Sequence, residues 1–213
     1  REVIKIDRTE IWKRASEVWT VEAGAVENLK KTIDPDAIAS DVAMIADCKA
    51  SGGRILTTGV GTSAAAARKI AHTLSCVEIP SFFLSPGDGV HGALGALQKG
   101  DVVIAISKGG GTDEIVRILP AVRAKGAKLI GVTEKRDSGL GKASDLIMPV
   151  KAEKEADRFN MLATASTMAV IAVFDAIAVA LMEYTGYTRE QFAVIHPGGA
   201  VGERLWKGKG AVR

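Results

Sequence analysis

From Arg54 onward the chain alternates short apolar runs with helical patterns, and this alternation constrains the fold more than any other feature. The runs are Ile55–Thr58, Pro80–Leu84, Val102–Ser107, Lys128–Thr133 and Leu146–Val150. Between them the spacing predicts helices at Ser63–Leu74, Val90–Leu97 and Glu114–Lys125, with a short one near Leu140. Strands separated by single helices imply a parallel sheet covered on both faces, joined by right-handed crossovers. The expected architecture is α/β: a three-layer, doubly wound, five-stranded parallel sheet of order 2-1-3-4-5. Ligands of such sheets gather beyond the strand carboxyl ends where the winding reverses, so the loops after strands one and three should face one crevice.

Two helical segments precede the sheet. Ile11, Ala15, Val18, Trp19, Glu22 and Val26 follow helical spacing, Asp34–Pro35 breaks the pattern, and Ser40–Ala50 turns Val42, Ile45 and Ala46 inward. With 213 residues one domain is expected: an N-terminal helical segment over 1–52, then an α/β core with C-terminal helices over 53–213. The stretch Met161–Met182 carries one charge, Asp175, and is about long enough to span a bilayer. Its Ala, Thr and Ser content and the acid past its middle argue against lipid. A helix apolar all round is otherwise buried in a core or a subunit interface. A homodimer or homotetramer is expected, and no membrane partner.

Composition excludes other classes. The net charge is only +3, and no Lys/Arg cluster with interleaved aromatics occurs, so no nucleic-acid partner is expected. Cys48 and Cys76 lack CxxC spacing or a nearby His pair; they read as reduced thiols, with no metal site. The N-terminus is charged and shows no secretory apolar region, which points to the cytoplasm.

The chemistry concentrates in two glycine-rich loops. Ser107–Lys108–Gly109–Gly110–Gly111–Thr112 joins an apolar strand to an amphipathic helix. Orphan N–H groups, the positive helix end, two hydroxyls and Lys108 make this an anion site, most often for phosphate. The alternative is an ordinary β–α turn with Thr112 as N-cap. Gly59–Val60–Gly61–Thr62–Ser63–Ala64 loosely matches a dinucleotide fingerprint, but the second strand ends in Phe82–Phe83–Leu84–Ser85–Pro86 without the ribose-binding acid. A phosphomonoester with Ser63 and Ser107 as donors fits better, and no cofactor is expected. His72, mid-helix, reads as structural. His91 stands at the top of the second strand. His196, fixed among Pro and Gly turns, is a candidate proton carrier. Glu155, in a charged run before the apolar helix, is either a solvated charge or a carboxylate at the crevice rim.

Together these pieces resemble the SIS (sugar isomerase) domain family, and within it the KpsF/GutQ type of arabinose-5-phosphate isomerase, from about Ile38 to Leu205. The matching segments are Gly59–Ser63, Asp101–Ser107, His91–Gly92, Lys154–Ala156 and, most specifically, Phe192–Ala200 with its His-Pro-Gly-Gly ending. No CBS pair, the usual second module of that type, follows within residues 1–213. The resemblance implies a cofactor-free sugar-phosphate aldose–ketose isomerase working through an enediol. It also implies an oligomer with sites at subunit interfaces. Gly61, Thr62, Ser63, Ser107, Lys108, Gly109, Gly110 and Thr112 are then expected around the phosphosugar. Glu155, His91 and His196 are expected in ring opening and proton transfer, His196 reaching a neighbouring subunit's site. Thr62 stands where the family usually has Lys, Gly109 where it has a second Ser, and Gly111 where it has Glu. Lys108 could supply the cation, and no residue is seen to replace the acid. The alternative function is a non-catalytic phosphosugar-binding protein.

Overall fold

The apolar runs form five strands: β1 (Ile55–Gly59), β2 (Ser81–Phe83), β3 (Val102–Ile106), β4 (Lys128–Val132) and β5 (Leu146–Met148). In the computed structural model, which describes residues 7–199 and 202, they pair throughout in parallel in the order β2-β1-β3-β4-β5. This is the expected topology. Ala200 of the His-Pro-Gly-Gly segment and the end of the resemblance at Leu205 lie outside the described residues.

Alternation within β3 explains its continuous apolar run. Val102, Ile104 and Ile106 face one hydrophobic cluster, and Val103 and Ala105 face the other. A strand buried on both faces has no solvent side and needs no polar alternation. The first cluster is closed by α2 (Pro35–Ala50), α3 (Thr62–Ser75) and α7 (Ala165–Thr185). The second is closed by α5 (Asp113–Ala124) and α6 (Gly139–Ala143), completing three layers.

Helix boundaries follow local chemistry. Asp7 caps α1 (Arg8–Thr32) by accepting from Thr9 N at 2.9 Å, and Asp34 caps α2 from outside Pro35. One face of helix α7 belongs to the core through Ala169, Val173, Phe174, Ile177 and Leu181, and Asp175 pairs with Lys69 of α3. The expected helix Val90–Leu97 does not form. The single turn α4 (Pro86–Gly89) stops before it, with Val90 as C-cap, and within it only a 3₁₀ turn forms, Ala93–Ala96, whose N-cap Gly92 adopts a left-handed φ of 107°. Helix α8 (Arg189–Ile195) begins with a capping box between Thr188 and Gln191 and ends at His196.

Candidate active site

Strands β1 and β3 are neighbours in register, Gly59 beside Ile106, so the loops after them open at one edge of the sheet. Helix α3 starts at Thr62, with Gly61 as an N-cap that has no side chain to offer. The first N–H groups of α3 are therefore left for a ligand. Thr62 and Ser63 share a cavity with Lys108, Thr133, Glu134 and Ser166.

The loop after β3 is pinned from beneath. Glu134 N and Thr133 Oγ1 both donate to the Lys108 carbonyl, at 3.0 and 3.1 Å, and Leu140 N donates to the Gly110 carbonyl at 3.0 Å. Gly110 has φ 67°, and a Cβ there would run into the Ser138 side chain and come within 2.8 Å of Thr133 Oγ1. Only glycine fits this position. Gly109 and Gly111 carry no such restraint, with nothing within 4 Å of an added Cβ. Ser107 is buried, and its hydroxyl lies 2.8 Å from Thr112 Oγ1. Thr112 occupies the N-cap of α5 but makes no side-chain capping bond, because its hydroxyl is engaged with Ser107.

Glu155 is buried, so it is not a solvated charge. Its Oε1 accepts from Ser166 Oγ and from Lys108 Nζ at 3.1 Å. Its Oε2 accepts from Thr164 N at 2.9 Å, Ser166 N at 3.2 Å and Thr164 Oγ1 at 3.4 Å. Burial opposes the charge, but the bonds from Ser166, Thr164 and Lys108 outweigh it and hold the carboxyl down at about 2. The carboxylate thus ties the N-terminus of α7 to the β3 loop. Asp157 knits the same segment, accepting from the backbone of Phe159, Met161 and Leu162.

The histidines lie elsewhere. Neither His91 nor His196 lines the cavity. His91 is exposed in the turn after α4, at the carboxyl end of β2, and its imidazole makes no hydrogen bond among the described residues. His196 stacks on Phe192 at 3.9 Å, with Nδ1 2.9 Å from the Phe192 carbonyl. A carbonyl only accepts, so Nδ1 carries the proton, and Nε2 of the neutral ring keeps a lone pair that no described residue engages. His72, exposed on α3, has only Cys76 Sγ nearby, at 3.6 Å.

Two features escape a reading of the sequence. Ser166 and Thr164, the partners of Glu155, sit in a run that reads only as apolar helix. Glu134, the first residue after Thr133, closes β4 at the same sheet edge as Lys108. The rule placing ligands at strand carboxyl ends is the signal that would have marked it.

The SIS domain profile matches residues 50–180. The chain is 38% identical over 185 residues to the arabinose 5-phosphate isomerase KdsD of Pseudomonas aeruginosa, covering 87% of this chain and 56% of that protein. It is 34% identical to the arabinose 5-phosphate isomerase KpsF of Escherichia coli, with 86% and 55% covered. It thus spans about half the length of these curated relatives. Among solved structures, a Listeria monocytogenes protein proposed to be a sugar-phosphate isomerase is 49% identical, with a TM-score of 0.88 over 91% of this chain and 100% of that one. An E. coli protein solved in complex with a phosphosugar is 33% identical, with a TM-score of 0.82 over 90% and 100%. With more than half its length matched by the profile, this chain belongs to the SIS domain family.

Proposed function

We propose that the chain is a sugar-phosphate aldose–ketose isomerase, with arabinose 5-phosphate as the first substrate to try. One observation carries this reading: Thr62 and Ser63, after β1, and Lys108, after the adjacent strand β3, line one cavity. Free N–H groups at the start of α3 and the hydroxyls of Thr62 and Ser63 suit a phosphate dianion. Of the β3 loop, Lys108 lines this cavity, and Ser107, Gly109, Gly110 and Thr112 are proposed as further contacts of the phosphosugar beside it. Kinship to KdsD and KpsF suggests the sugar, and the phosphosugar complex of a protein with this fold supports the ligand class. The Lys108 ammonium offsets charge that develops on the sugar oxygen, and the free Nε2 of His196 serves ring opening.

The active unit we infer is a homodimer or homotetramer. Helix α1 is 25 residues long with no buried residue, and it exposes Ile11, Trp12 and Trp19. Covering that face with a second copy brings a partner's helices to the site, which is how His196 would reach it. Cys48 and Cys76 are free thiols, in keeping with a cytoplasmic setting.

The test is isomerisation in D₂O. Wild-type protein with arabinose 5-phosphate, or failing that with other pentose and hexose phosphates, should take deuterium at C2 and interconvert aldose and ketose. A raised melting temperature without C2 exchange for any of them would leave a phosphosugar-binding protein without turnover.

A further inference from the structure

We propose that Glu134, held beside Lys108 at the carboxyl end of β4, is the carboxylate that moves the proton in this site. The proposal deepens the isomerase reading and rests on it.

An aldose–ketose isomerase needs a base that can both take and return a proton, and its lone pairs must be free. Glu155 does not offer them. Its two oxygens receive five hydrogen bonds from Ser166, Thr164 and Lys108, and its carboxyl sits at about 2. Such a group is far from the operating range in which proton transfer is efficient. It is an anchor.

Glu134 is placed in the opposite way. It is the one carboxylate among the described residues lining the cavity. Its side chain is 21% exposed, so a ligand reaches its outer part, while Oε1 is enclosed and has no hydrogen-bond partner among the described residues. An enclosed carboxylate oxygen without a hydrogen bond is costly, and such an atom calls for a role. The neighbouring charge is Lys108, with Nζ 4.0 Å from Glu134 Oε1 and 3.1 Å from Glu155 Oε1. Lys108 therefore stands between a saturated carboxylate that fixes it and a second one, not hydrogen-bonded at Oε1, that it can support. The backbone sets this geometry, because Glu134 N donates to the Lys108 carbonyl at 3.0 Å and locks the two loops together.

The step balances without an oxidant or cofactor. The Glu134 carboxylate takes the proton from C2 of the open-chain aldose. The C–H electron pair becomes the C1–C2 double bond, and the carbonyl electrons move onto O1 beside the Lys108 ammonium. The hydroxyl proton then passes from O2 to O1, and the Glu134 carboxyl returns its proton to C1, giving the ketose.

The experiment compares wild type and Glu134→Gln with arabinose 5-phosphate, or whichever aldose phosphate the wild type exchanges. The expected result is a loss of C2 deuterium exchange of ~10²–10⁴-fold, with the phosphosugar-induced rise in melting temperature retained. Exchange within about tenfold of wild type would overturn the assignment to Glu134 while leaving the isomerase reading intact. If wild type itself exchanges no aldose phosphate, the isomerase reading falls and this inference with it. Should the Gln variant fold poorly, Glu134→Ala in formate decides the matter. Recovery of exchange with added formate supports a carboxylate that touches the proton, and no recovery overturns it.

Discussion

Asp41 and Glu155 are both buried acids, and their surroundings drive them in opposite directions. Asp41, on α2, is 1% exposed with Oδ2 unpartnered, and burial pushes its carboxyl up to about 7. The native state then binds a proton that the unfolded chain releases near the ordinary carboxylate range. Stability from this group is full below that range and is lost as pH rises to about 7, by at most roughly 4 kcal/mol. Asp41→Asn should flatten this fall, so melting temperatures recorded from pH 4 to pH 8 should diverge in favour of the variant. Glu155 has the reverse sign: its stabilisation is present above the ordinary carboxylate range and fades as pH falls towards 2. Glu155→Gln should therefore cost ~1–3 kcal/mol at neutral pH and little in strong acid, since hydrogen bonds to a charged acceptor are the ones lost. A denaturant midpoint unchanged at pH 7 would mean that the carboxylate does not anchor α7.

At the scale of elements, the β3–α5 turn depends on one glycine of its three. Gly110→Ala must place a Cβ at φ 67° against Ser138 and Thr133, whereas Gly111→Ala meets open space. The first should lower stability by about 2 kcal/mol or more and abolish the phosphate-induced melting shift, and the second should change neither by much. Because Gly111 is unrestrained, an acid can also be introduced there without backbone strain. The strands and their order were legible in the sequence because a run buried on both faces, such as Val102–Ile106, leaves a continuous apolar signature. The stretch Val90–Leu97 was misread because helical spacing does not register that Gly92 turns left-handed. The candidate loop Ser107–Thr112 was legible because a single segment carries it. Glu134 meets Lys108, and Glu155 meets Ser166, only after the sheet has folded. No local pattern records such pairs.

For the whole molecule, the exposed face of α1 and the position of His196 bear on the same question. Trp12 and Trp19 pack edge to face 5.5 Å apart with more than half of each exposed, an arrangement that suits burial against another apolar surface. His196 carries a usable Nε2, yet it lies outside the cavity that its own chain builds. Both observations are met if the site is shared, with Lys108 from one copy and His196 from the next. This predicts complementation. His196→Ala and Lys108→Met should each be nearly inactive alone. When the two are dissociated, mixed in equal amounts and reassociated, a two-fold symmetric pair containing one of each has one site with both residues intact and one site with neither. Random assortment then restores roughly a quarter of wild-type turnover. If each site is built within one chain, every site in the mixture carries a lesion and no turnover returns. Light scattering on the same mixture separates the remaining case, because a stable monomer at micromolar concentration would remove the shared site altogether.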